Sequence, residues 1–282
     1  MDTVRNRIKA VLEAVEQMIY SDRQPVISVK IAKADYHFEE FHREGKDFRD
    51  FGRNETWGEL DQHYFFLADV AIPEQMEGHT VRAVLNTGAT DIWNTDNPQI
   101  MAYVNGRFAA TLDMNHQFII LSEHAKAGET YELAFYAYSS AYAGTFTGTN
   151  FFRLELAVYR EEAAGLYYDM QAVYEAADLL PEDNLSRIEG FKALERCINL
   201  LDLRRPGSAE CFESMKMAAQ DLEGTYYADR RPNPVTVHSI GHTHIDVAWK
   251  WPLRQTRQKA VRSFETVLNT VLCPVSHSSM SS

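Results

Sequence analysis

His242, His244 and Asp246 alternate with Thr243 and Ile245 at the end of the apolar run Val235-Thr-Val-His-Ser-Ile240. In an extended chain, side chains two residues apart share a face, so two imidazoles and a carboxylate would project together. Neutral imidazole nitrogen and carboxylate oxygen suit a divalent ion such as zinc, and a catalytic zinc site takes about three protein ligands while leaving a position for water or substrate. Neighbouring ligands on one strand make half of such a site, so the remaining ligands must come from elsewhere.

The elements around the motif are those of an α/β fold. A β-branched strand, Val235 to Ile240, is entered from Arg230-Arg-Pro-Asn-Pro234 and followed by a helix around Gln255 to Asn269. That puts the motif at the strand end, where such folds place their sites. Other His-x-His hydrolases fit less well. The metallo-β-lactamase pattern wants a histidine after the aspartate, where this chain has Val247, and amidohydrolase barrels do not account for the aromatic and basic residues downstream.

The string Gly241-His-Thr-His-Ile-Asp-Val-Ala-Trp-Lys-Trp-Pro-Leu253, followed by Thr256-Arg-Gln-Lys259, closely resembles the opening of the catalytic domain of glycoside hydrolase family 38, the retaining α-mannosidases. The resemblance implies zinc as cofactor, His244 and Asp246 as two metal ligands, and Trp249 as the aromatic against the bound mannose. His242 is then a histidine supporting the site or the strand, with Trp251 and Arg254 packing and pairing nearby. No catalytic residue is expected in this chain, because the family's nucleophile, general acid and further histidine ligand lie far downstream, past Ser282. The implied activity is release of terminal α-linked mannose from oligosaccharides, with this chain an inactive fragment. Two alternatives stay open: a non-catalytic carbohydrate-binding β-sandwich, and an unrelated zinc metallohydrolase.

Composition narrows the class. The chain has 282 residues, 45% hydrophobic and 24% charged, enough for more than one folded region. A formal charge of -12 offers no basic face for phosphates. Nucleic acid is therefore not expected as a partner, and a neutral or polyhydroxylated one fits better; the family resemblance implies a mannose-containing oligosaccharide. No run approaches the roughly 20 apolar residues of a membrane span, and Met1 to Tyr20 is interrupted by Arg5, Arg7, Lys9, Glu13 and Glu16 where a signal peptide would be apolar. Cys197, Cys211 and Cys273 lack metal-type spacing and read as reduced thiols, which points to the cytoplasm. Assembly into a homo-oligomer is left open.

The expected fold is α+β and multidomain. Val4, Ile8, Val11, Leu12, Val15, Met18 and Ile19 recur at helical spacing, giving an N-terminal helix within residues 1–24. A jelly-roll-like β-sandwich over 25–160 is expected from eight short extended runs: Val26 to Ala32, His63 to Ala71, Val81 to Asn86, Ile100 to Val104, Phe108 to Leu112, Phe118 to Leu121, Tyr131 to Tyr138 and Phe151 to Tyr159. Asn105-Gly106 predicts a two-residue hairpin. Trp57, Trp93, Tyr136, Tyr138 and Tyr142 are core aromatics or a sugar-stacking platform, with the core favoured. Asp113, Asn115 and His116 are a turn or an ion site, with the turn favoured.

A helical connector follows over 161–229, with helices Glu161 to Leu180, Ser186 to Leu203 and Ser208 to Gly224. The second is expected to open on the capping box Ser186-Arg-Ile-Glu189. Residues 230–272 then begin a truncated α/β catalytic domain, contributing its first strand and helix. The serine-rich 273–282 is expected to be a disordered tail.

Overall fold

The computed structural model describes residues 2–37, 40–59, 61–89, 98–139, 150–228, 236, 238, 240, 244–248 and 252–272. Among these the chain is α+β, with five α-helices and two antiparallel sheets. It divides into two compact units, Met1–Asp22 with Val158–Ser239, and Arg23–Ala157 with Ile240–Ser282.

The first unit is helical. Helix α1 (Asp2–Glu16) buries Ile8, Leu12 and Val15, a spacing that puts them on one stripe. That stripe shares a core with Leu166 and Met170 of α2 (Glu161–Asp178), Leu194 and Cys197 of α3 (Leu185–Leu200), and Cys211 and Met215 of α4 (Ala209–Leu222). Gly190 lets α2 and α3 approach closely, since a Cβ there would lie 3.1 Å from Ala177 Cβ. Arg187 is buried, and its Nη1 donates to the carbonyls of Ala177, Asp178 and Leu180 at 3.0, 3.0 and 2.9 Å, capping the C-terminal end of α2.

Several elements differ from the sequence reading, among them the strand expected over Val26 to Ala32, which runs from Val29 to Ala34. Helix α1 ends at Glu16, and the chain enters strand β1 (Tyr20–Pro25), so the apolar period through Met18 and Ile19 does not extend the helix. Ile19 is buried all the same, and its carbonyl accepts from Arg160 N at 2.9 Å. The cap of α3 is Asn184 rather than Ser186: its side chain accepts from Ser186 N at 2.9 Å and Arg187 N at 3.4 Å. An Asx side chain reaches the first free amides as well as a serine does, and here it stands two residues earlier. The short edge strand β3 (Arg49–Phe51) carried no apolar run that would have revealed it. For α4, by contrast, Ser208 does cap, accepting from Cys211 N at 3.2 Å.

In the second unit, a six-stranded sheet runs in the order β3, β2 (Val29–Ala34), β4 (His63–Ala71), β9 (Thr130–Tyr138), β6 (Gln99–Val104), β7 (Arg107–Leu112). A four-stranded sheet has the order β1, β10 (Arg153–Tyr159), β5 (Val81–Asn86), β8 (Phe118–Ser122). The β6–β7 hairpin turns at Asn105 and Gly106, with φ of 49° and 79°, the left-handed pair such a turn needs.

The larger sheet is covered on both faces. Phe66 and Phe135 pair across β4 and β9 and pack on Phe152, which leads into β10; the Phe66 and Phe152 rings stack at 3.9 Å. The opposite face carries Phe65, Leu67, Tyr136, Tyr138, Met101 and Tyr103. Phe41 and Val261 of helix α5 (Leu253–Leu272) cover that face.

Candidate metal half-site

His244 and Asp246 are brought together. His244 Nε2 lies 3.0 Å from Asp246 Oδ1, with side-chain exposures of 74% and 42%, so both donor groups face an accessible space. A histidine nitrogen and a carboxylate oxygen are donor types that a zinc ion takes, and here the two are joined to each other by a hydrogen bond. Among the described residues no group of three or more His, Cys, Asp or Glu side chains converges as a metal cage. His242, Trp249, Trp251 and the strand expected over Val235 to Ile240, apart from positions 236, 238 and 240, lie outside the described residues, as does the 273–282 tail.

The pair is tied to the helix that follows it. Ala248 has φ of 54°, in the left-handed region where a β-carbon is strained, and its amide donates to Thr256 Oγ1 at 3.1 Å. Thr256 belongs to the first turn and a half of α5. A cleft of about 430 Å³ beside the pair is lined by Asp113, His116, His244, Asp246, Lys259 and Arg262, among others. Burial lowers the Lys259 ammonium, with Arg262 adding to the effect and Asp246 opposing it. Burial also lowers the Arg262 guanidinium, to about 10.

Helix α5 meets the sheet through polar side chains. Gln258 is fully buried, and its Nε2 donates to Tyr136 Oη at 2.7 Å and to the His37 carbonyl at 3.0 Å. Tyr136 Oη in turn lies 2.5 Å from His63 Nδ1. Gln255 Nε2 donates to Gln99 Oε1 at 3.2 Å, and Arg262 Nη2 donates to the same oxygen. Thr266 and Thr111 join their hydroxyls at 2.7 Å. Arg254 lies over the Tyr36 ring at 4.3 Å and 3.7 Å from Asp61.

The sequence reading missed Gln99, Tyr136, Gln255, Gln258 and Arg262 as a connected set. A signal was present: Gln255, Gln258 and Arg262 recur at three- and four-residue steps, the stripe of one helix face. Polar residues on a stripe are ordinarily read as solvated, which hid it.

The other candidates resolve as packing. Trp57, Tyr136 and Tyr138 are buried, so they do not form an open sugar platform, while Trp93 and Tyr142 fall outside the described residues. Asp113 Oδ1 accepts from the amides of Asn115 and His116, each at 2.8 Å, which makes this cluster a side-chain-stabilised turn. Cys197 and Cys211 are free and buried, and burial pushes the Cys197 thiol up to about 12.

Residues 234–273, the half-site and α5, match the glycosyl hydrolases family 38 N-terminal domain. The match falls on the stretch, Gly241 to Leu253, whose sequence resembles that family, so the resemblance stands for this segment. The chain is 25% identical over 218 residues to Alpha-mannosidase 2C1 of Mus musculus, covering 72% of this chain and 20% of that protein. It is 30% identical over 116 residues to Alpha-mannosidase 2C1 of Homo sapiens, covering 41% and 11%. To Alpha-mannosidase G of Dictyostelium discoideum it is 21% identical over 235 residues, covering 78% and 20%. The chain spans a fifth or less of the length of these relatives. No helix among the described residues is long and apolar enough to cross a membrane.

Proposed function

We propose that the chain is the opening part of a zinc-dependent α-mannosidase that releases terminal α-linked mannose from oligosaccharides, and that alone it is inactive. The observation that carries this reading is the His244–Asp246 pair, 3.0 Å apart, within the segment that matches the family model. His244 would give its imidazole nitrogen and Asp246 its carboxylate to the ion, and Trp249 would stack on the mannose ring. Bound zinc would supply charge stabilisation and orient sugar hydroxyls.

A retaining glycosidase also needs two carboxyl groups about 5 Å apart across the scissile bond. In this reading both, with the further histidine ligand, come from polypeptide downstream of Ser282. The surface of α5 supports that. Phe264, Val267 and Leu268 are exposed, an apolar stripe suited to cover by more chain. The arrangement proposed is a jelly-roll-like sandwich, a helical connector and the first strand and helix of an α/β catalytic domain. The buried free thiols support a cytoplasmic location.

The test is zinc uptake by the purified chain, measured by calorimetry, alongside hydrolysis of an aryl α-mannoside. We expect measurable zinc binding that His244→Ala and Asp246→Ala each abolish, and no turnover. Zinc binding unchanged in both variants would sink the ligand reading. Saturable hydrolysis by the chain alone would sink the fragment reading.

A further inference from the structure

We propose that Tyr136, on strand β9, is a positioning residue for the metal half-site, acting through Gln258 and helix α5. This rests on the reading of His244 and Asp246 as ligands.

Three links connect the residues. The loop carrying the pair is held to α5 by the Ala248 amide on Thr256 Oγ1, at 3.1 Å. Helix α5 is held to the sheet by Gln258 Nε2 on Tyr136 Oη, at 2.7 Å. Tyr136 is itself immobilised: it is fully buried, paired across the sheet with Phe65 and Met101, and its hydroxyl meets His63 Nδ1. Burial lowers the pKa of His63 and raises that of Tyr136, so both are neutral near pH 7. Gln258 donates to the Tyr136 hydroxyl oxygen, and that hydroxyl also hydrogen-bonds His63 Nδ1.

The polar character of this seam gives it its consequence. An apolar helix face tolerates sliding, because one methyl contact replaces another. A buried amide does not, because any shift of α5 by one residue turns Gln258 through about 100° and leaves its N–H groups without acceptors. The seam is not maximised for stability, since Gln255 Oε1, Gln258 Oε1 and Arg262 Nη1 are buried without a hydrogen-bond partner among the described residues. Buried polar contacts of this kind specify register rather than strength. Fixing the register of α5 fixes Thr256, and Thr256 fixes the strained Ala248 two residues after Asp246. The sheet is thereby part of the half-site's support.

The experiment uses the whole chain and two substitutions, Tyr136→Phe and Gln258→Leu, with circular dichroism confirming the fold. Zinc affinity is read by calorimetry, and amide exchange is read at Ala248. Each variant is expected to bind zinc about tenfold more weakly, the range typical of groups that orient ligands. Ala248 should exchange faster in both, and the double variant should lose no more than either single one. If Tyr136→Phe does not fold, Gln258→Leu carries the same expectation, because it leaves the Tyr136–His63 contact in place. Wild-type zinc affinity and Ala248 exchange in a folded variant would overturn the positioning role while leaving the function reading intact. A wild-type chain that takes up no zinc would overturn the ligand reading and this proposal with it.

Discussion

The amide of Ala248 donates to Thr256 Oγ1 at 3.1 Å while Ala248 itself sits at φ of 54°. A non-glycine residue in that region costs about 1 kcal/mol or more, so the hydrogen bond and the docked helix offset a local strain. Removing the strain and removing the hydrogen bond should have opposite signs. Ala248→Gly is expected to change stability by less than about 1 kcal/mol, in the stabilising direction, because glycine accepts this φ but adds unfolded-state entropy. Thr256→Val should cost about 1 kcal/mol. Denaturant unfolding of both variants checks the contrast.

The Asn184 cap of α3 can be separated from the capping box that the sequence suggested. Asn184→Ala removes the acceptor for Ser186 N and Arg187 N and should cost about 1 kcal/mol. Ser186→Ala should change stability by a few tenths of a kcal/mol, on the order expected away from a cap. Equal losses in the two variants would restore the box.

His63 predicts an acid sensitivity. Burial holds its pKa below the ordinary value of 6.5, so folding opposes its protonation. Above about pH 6.5 both folded and unfolded states carry a neutral ring, and His63 adds no pH dependence. As pH falls below that value the unfolded chain takes the proton first, and stability is lost until pH passes the lowered folded pKa. Unfolding free energies of wild type and His63→Gln at pH 7 and pH 5 should diverge, with the wild type losing more on acidification.

Phe66 is the sharpest core test. It is fully buried and stacked on Phe152 at 3.9 Å with an interplanar angle of 7°. Phe66→Ala should cost about 3–5 kcal/mol, the range for truncating a core phenylalanine, and it should do so by opening a cavity between the sheets. Chemical denaturation that shows a loss under about 1 kcal/mol would mean that this side chain is not packed as described.

The sequence by itself determined the parts that local chemistry controls. Apolar residues at helical spacing placed α1, short extended runs between turn signals placed most strands, Asn105-Gly106 placed the hairpin, and Ser208 placed the start of α4. The spacing of His244 and Asp246 placed two donors of metal-ligand type, and the surrounding string carried the resemblance to glycoside hydrolase family 38.

Only the tertiary structure decided which surfaces meet. Gln255, Gln258 and Arg262 form the buried face of α5 while Phe264, Val267 and Leu268 stay exposed, the reverse of what amphipathic patterning suggests. The reason is physical: a polar side chain is buried when a distant partner satisfies it, and the partners here, Gln99 and Tyr136, lie far away in sequence. Edge strand β3, the Arg187 cap on α2 and the burial of Trp57, Tyr136 and Tyr138 likewise depend on neighbours that no local pattern encodes. Periodicity reports what a segment could bury; the fold decides against what.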